Sequence, residues 1–110
     1  MMIIRNNFMP FKGFACINIC GILFVRKNAK INNIVINHEN IHTKQIFELL
    51  IIPFYLIYCI SYIINLFKYF DSYKAYRNIA FEREAYDNQN NNNYLKTRKH
   101  YNFIKYFKSK

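Results

Sequence analysis

The sequence predicts an α+β domain, a short N-terminal β element packed on three or four helices, in which an HExxH-bearing helix precedes an apolar helix and a glutamate-bearing one. Three observations carry this. Phe14–Arg26 (FACINICGILFVR) is rich in β-branched and aromatic residues around Gly21, the composition of strands. From Asn32 onward, capping residues and helical spacing recur. Between them lies Leu49–Leu66, 18 residues without a charge. A chain of 110 residues suffices for one small domain with one modest core. The expected division is an N-terminal β region over 1–30, a metal-binding helical core over 34–90 and a basic C-terminal helix over 94–110.

Phe14–Arg26 reads either as one bulged strand or as two short strands meeting at Asn18–Gly21. Lys27–Lys30 is a polar turn, and Asn32 and Asn33 offer N-cap oxygens to a helix expected over Ile34–Ile52. Pro53 kinks or ends that helix, because proline has no backbone N–H to donate. A second helix, Phe54 to Tyr69, is apolar almost all round. Leu49–Leu66 reaches the length of a membrane span, with a buried hairpin broken at Pro53 as the competing account. A single span would place His38 and Glu82 on opposite sides of a bilayer, which favours the hairpin or buried helix. Asp71–Ser72 caps a further helix over Lys74–Gln89. The asparagine run Asn90–Asn93 is a solvated loop, and Tyr94–Phe107 is a basic helix that either covers the core or anchors at a membrane surface.

The formal net charge is +10. Residues 1–38 carry five positive and no negative charges, and residues 68–110 carry ten positive and four negative. Basic flanks around an apolar centre fit an interfacial protein better than a groove binder, and no nucleic-acid module is visible. Cys16, Cys20 and Cys59 complete no zinc-finger spacing and read as buried free thiols in a reducing compartment. Met1–Ile4 is too short for the apolar core of a signal peptide. The expected location is cytoplasmic, or membrane-associated on the cytoplasmic side.

The most defined chemistry is His38-Glu39-Asn40-Ile41-His42, an HExxH motif that uses two of the three histidines. Positions i and i+4 lie on one helical face, so both imidazoles can reach one Zn²⁺ while Glu39 serves as general base toward an activated water. A catalytic zinc usually takes three protein ligands. His100, beyond the asparagine loop in a cationic run, is a poor third. Glu82 and Glu84 lie in FEREAYD on a later helix, roughly 200° apart in direction, so only one of them faces the metal. Ala85 and Tyr86 share the face of Glu82, and a small residue there admits close helix approach. That assigns Glu82 to the metal and Glu84 to a supporting or surface position, with the reverse still open.

HENIH followed at a distance by FEREAY resembles the gluzincin metallopeptidases, whose third ligand is a glutamate on a downstream helix. The apolar stretch between the motifs is similar to that of the integral-membrane gluzincins, among them the CAAX-processing, heat-shock and antirepressor peptidases. Their downstream motif reads roughly Glu-x-x-Ala/Cys-Asp. Glu82-Arg83-Glu84-Ala85 matches it, which implies Glu82 as the ligand, while Tyr86 stands where an aspartate is usual. His38–Gln45 further resembles the HExxHxxQ form of small uncharacterised bacterial proteins. The resemblance, over about half the chain, implies zinc held by His38, His42 and Glu82, and peptide hydrolysis with Glu39 as catalytic base. Tyr76, Tyr86 and His100 are all available as oxyanion donors, and the sequence does not choose among them. Two alternatives stand beside this. One is a non-catalytic zinc-stabilised scaffold or partner-binding protein; the other is a metal-free small membrane-associated protein in which His38, Glu39 and His42 are ordinary polar helix residues.

Overall fold

The computed structural model describes residues 2–7, 16–27 and 29–107. Its architecture is α+β, a three-stranded N-terminal sheet followed by helices. Strand β1 (Met2–Asn6) runs parallel to β3 (Ile22–Arg26), and β2 (Cys16–Ile19) runs antiparallel to β3, giving the order β1-β3-β2. Of the two readings of Phe14–Arg26, the two-strand one describes its visible part; Phe14 and Ala15 lie outside the described residues. Leu23 and Val25, two apart on the central strand, are fully buried, as period-two alternation requires.

Ile19 pairs with Ile22, so β2 and β3 are joined by the two residues Cys20 and Gly21. Both have positive φ, 53° and 90°, as in the tight turns that match strand twist. The turn also brings Gly21 close to the Phe47 ring, 3.0 Å from where a Cβ would stand. The turn is held on the helices by three hydrogen bonds. Asn18 Nδ2 donates to the Glu39 carbonyl (3.0 Å) and to Thr43 Oγ1 (3.1 Å), and Cys20 N–H donates to the Tyr55 hydroxyl (2.8 Å). The thiols are free, but Cys20 and Cys59 are exposed and Cys16 only half-buried, which corrects the expectation of buried cysteines.

Helix α1 spans Asn33–Glu48, with Asn32 Oδ1 accepting from Val35 N–H at 3.0 Å as its N-cap. It ends four residues earlier than expected. Leu50 and Ile51 both take positive φ (59° and 69°) and reverse the chain, so α2 begins at Ile52 and continues to Tyr69. Pro53 therefore opens α2 instead of closing α1; in a first turn its missing N–H leaves nothing unpaired. The expectation that α2 is buried is also corrected. Phe54 is its one fully buried residue; Ile57 and Tyr58 pack partly on the core, and the opposite side is exposed.

The helix expected over Lys74–Gln89 is two. Helix α3 (Ser72–Arg77) is capped by Asp71, and α4 (Ala80–Asn88) follows a break at Asn78–Ile79. Two effects make that break. Asn78 Nδ2 bonds back to the Lys74 carbonyl (2.8 Å), and Ile79 turns into extended backbone to enter the core with Ile46, Phe54, Phe81 and Phe103. The expected C-terminal helix is likewise divided, into α5 (Tyr94–Thr97) and a 3₁₀-helix over Asn102–Phe107. Between them Arg98 turns inward to two carboxylates, which a continuous solvated helix does not permit.

Candidate metal centre

Helices α1 and α4 face each other, with Ile41 of one packed on Ala85 of the other, both fully buried. The small residue permits the approach that the FEREAYD face suggests. Across this contact His38, His42 and Glu82 converge, each at most 6 % exposed. The three contact atoms form a nearly equilateral triangle. His38 Nε2 to His42 Nε2 is 3.1 Å, His38 Nε2 to Glu82 Oε1 is 3.1 Å, and His42 Nε2 to Glu82 Oε1 is 3.0 Å. Tetrahedral zinc with bonds near 2.0–2.1 Å sets its ligand atoms about 3.3 Å apart. Among the described residues no fourth His, Cys, Asp or Glu joins the group.

The opposite nitrogen of each ring is held by a glutamine. Gln45 Oε1 lies 2.8 Å from His42 Nδ1, and Gln89 Oε1 lies 2.8 Å from His38 Nδ1. The orientation of the Gln45 amide follows from its other end, since Nε2 donates both to the Phe81 carbonyl (3.1 Å) and to Glu84 Oε1 (2.8 Å). Its oxygen must therefore face the ring, and His42 must carry its proton on Nδ1. In the neutral form that leaves a bare Nε2 lone pair aimed at Glu82 Oε1 and beside His38 Nε2. Lone pairs and a carboxylate so close, away from water, are satisfied either by a proton on His42 shared with Glu82 or by a metal cation between them.

The electrostatics show how tightly His42 and Glu82 are paired. Burial alone lowers the pKa of His42, but the Glu82 carboxylate and its hydrogen bond outweigh that and push it up to about 9. Burial likewise raises Glu82, yet His42, with hydrogen bonds from both histidines and Tyr58, holds it well below the usual carboxylate range. Glu39 is raised by burial, partly offset by the two histidines. A carboxylate with a raised pKa is a stronger base than an ordinary one.

Glu84 is neither a ligand nor a surface residue. It is fully buried and takes hydrogen bonds from Gln45, from the Tyr94 hydroxyl (2.5 Å) and from Arg98 Nε (2.6 Å). Arg98 continues to Glu48 through Nη1 and Nη2, each at 2.9 Å. On the other side Asn37 Nδ2 donates to the carbonyls of Gln89 (2.9 Å) and Asn91 (3.0 Å), fixing the turn that carries Gln89. The asparagine run is thus partly a structural support. His100 is exposed and lies 3.5 Å from Glu48, away from the triangle.

Tyr86, where the resemblance leads to an aspartate, sets its ring edge-on against His38 with centroids 4.5 Å apart, and its hydroxyl bonds that of Tyr76 at 2.8 Å. Of the candidate donors, Tyr76 and Tyr86 therefore border the site. Tyr58 of α2, not singled out from the sequence, donates its hydroxyl to Glu82 Oε2 at 2.7 Å. Burial and the Glu82 charge raise its pKa, so it stays a donor. The roles of Gln45 and Gln89 do have sequence signals. Gln45 follows His42 by one turn, and Gln89 lies seven residues after Glu82, on the same helical face. No protein-family model matches the chain, and no curated protein or solved structure was found to match it.

Proposed function

We propose that the protein is a zinc-dependent metallopeptidase of gluzincin type. The observation that carries this is the triangle of His38, His42 and Glu82, with Gln45 turning the bare nitrogen of His42 inward and Gln89 beside the outer nitrogen of His38. His38 Nε2, His42 Nε2 and Glu82 Oε1 would hold the metal. When bound, Zn²⁺ supplies the Lewis acidity that brings the pKa of a water toward neutrality and polarises a carbonyl. Glu39 follows His38 on the same helix and takes the proton of the attacking water, then returns it to the leaving amine. Gln45 keeps the His42 ring in one tautomer throughout, and Gln89 braces the His38 ring. Strand β2 is a sheet edge among the described residues and is tied through Asn18 to the Glu39 carbonyl. An extended peptide pairing along it by main-chain hydrogen bonds would be held beside Glu39.

A zinc-stabilised scaffold without turnover is the second reading, favoured by the burial of all three ligands. Against it, a closed structural site takes four protein ligands, and this group has three. The test is zinc content by elemental analysis of protein made without a histidine tag, followed by peptide hydrolysis. About one zinc per chain is expected in the wild type and a sharp loss in Glu82→Ala. Glu39→Gln should keep the zinc and abolish hydrolysis. Zinc without turnover in the wild type leaves the scaffold, and no zinc after reconstitution rejects both readings.

A further inference from the structure

The outer side of α2 is apolar and uncovered. Ile52, Leu56, Ile60, Ile63 and Phe67 follow one another at spacings of four, four, three and four residues, and Ile64 lies beside them. Each is more than half exposed. The stripe runs the length of an 18-residue helix, about 27 Å at 1.5 Å per residue. Leu50 before the helix and Phe70 after it are likewise exposed, as is Phe47 of α1. Contiguous exposed surface of this size on a small domain marks an interaction site.

Length and composition would let α2 cross a bilayer, but its inner side excludes that arrangement. Phe54 belongs to the core cluster, Tyr58 is bonded to Glu82, and Asn65 Nδ2 donates to the Ala75 carbonyl at 3.0 Å. Insertion across a membrane would strip these polar groups of their partners and carry them into hydrocarbon. The helix can only lie flat, with one side in the protein and the other facing outward.

Charge selects what it faces. Lys44 lines a hollow with Phe47 and Leu50 at one end of the stripe, and Lys68 lines another with Ile64 and Phe107 at the other. The acids near these ends are engaged, Glu48 with Arg98 and Asp71 as the cap of α3. A second copy laid on the stripe would bring another net +10 against this one and set lysines against lysines, which disfavours self-association. An anionic lipid surface matches both features, because acyl chains take the isoleucines while headgroups meet the lysines.

We propose that the outer face of α2 docks flat on an anionic bilayer surface, holding the His38–His42–Glu82 site at the membrane boundary. The test is co-sedimentation of the full chain with vesicles of phosphatidylglycerol and phosphatidylcholine, beside pure phosphatidylcholine. Binding is expected to anionic vesicles, falling with added salt. Burying one isoleucine is worth on the order of a tenfold change in affinity, so Ile60→Glu with Ile63→Glu should lower binding by roughly a hundredfold. Unchanged zinc content and circular dichroism would show that the variant still folds. Because the chain lacks Trp, Phe67→Trp places a single fluorophore on the stripe, and its emission should shift to the blue when anionic vesicles are added. Wild type left in the supernatant, pelleting indifferent to the double substitution, or no shift from Phe67→Trp would each overturn the proposal. So would a dimer that the double substitution disperses while vesicles are ignored. Zinc content on the same samples keeps this result separate from that of the metal site.

Discussion

The α1–α4 contact and the outer face of α2 lie on two sides of one small domain and reverse the usual distribution of residues. At the contact, two histidines, two glutamates and a glutamine are buried with their polar atoms paired in a continuous network. On the outer face, isoleucines, leucines and phenylalanines stand in the open. Burial of polar groups is tolerable where each donor meets an acceptor and the net charge is balanced. Exposure of apolar groups in a row is tolerable where something covers them. The contrast teaches that this small fold keeps a paired polar cluster inside and leaves an apolar stripe outside, and the two proposals made above rest one on each. Its hydrophobic core is correspondingly small and sits between them.

The sharpest way to break the contrast is inside. Glu84→Ala removes the carboxylate that joins Gln45, Tyr94 and Arg98, and leaves a buried guanidinium with only Glu48. Breaking a buried pair from one side costs about 3–5 kcal/mol, so chemical denaturation should register a loss of that size, enough to unfold a marginal domain. By comparison, Ile60→Glu on the outer face should leave the folded state within about 0.5 kcal/mol, as surface changes generally do. Gln45→Ala is next in magnitude. The His42 ring loses its orienting acceptor, and zinc affinity measured by competition with a chelator should fall about 10–100-fold. An equal fall with Gln89→Ala would show that the two histidines are held alike.

The smallest effect is a pH dependence. Burial would raise the Glu48 carboxyl, but hydrogen bonds from Arg98 and from Tyr101 N–H hold it below its ordinary 4.5. A depressed carboxyl contributes stability that is full above the unfolded value and is lost as pH falls through the folded one. The difference in thermal midpoint between wild type and Glu48→Gln should therefore be constant near neutrality and shrink below pH 4.5. A difference that widens on acidification would contradict the Arg98 bridge.

How much of this was legible in the sequence depends on the range over which each feature is decided. His38, His42 and the face Glu82–Ala85–Tyr86 follow from spacing within one helix each, and the structure brings them to one place, with Gln45 and Gln89 joining them. The Asn32 and Asp71 caps are equally local. Strand β1 was not anticipated as the parallel partner of β3, because a parallel pairing is settled by distant segments. The outer face of α2 escaped for another reason. A helix apolar all round has no period that tells its covered side from its open one. Arg98 sits in a run of cations that reads as a solvated face, and only the positions of Glu48 and Glu84 in space show that it turns inward. The break at Asn78–Ile79 belongs to the same class, since Ile79 is drawn out of helix by a core assembled from four other segments of the chain.

On the proposed metal reading, one hydrogen bond also bears on which ions the centre would admit. With Oε2 engaged by the Tyr58 hydroxyl, Glu82 has a single oxygen left to offer. A donor set of two ring nitrogens and one oxygen discriminates strongly. Calcium asks for six to eight oxygens and magnesium for a nearly octahedral oxygen shell, and neither is served here. Ions that favour imidazole and tolerate low coordination numbers are. By restraining one carboxylate oxygen, a tyrosine on the apolar helix would make such a centre selective as well as shaped.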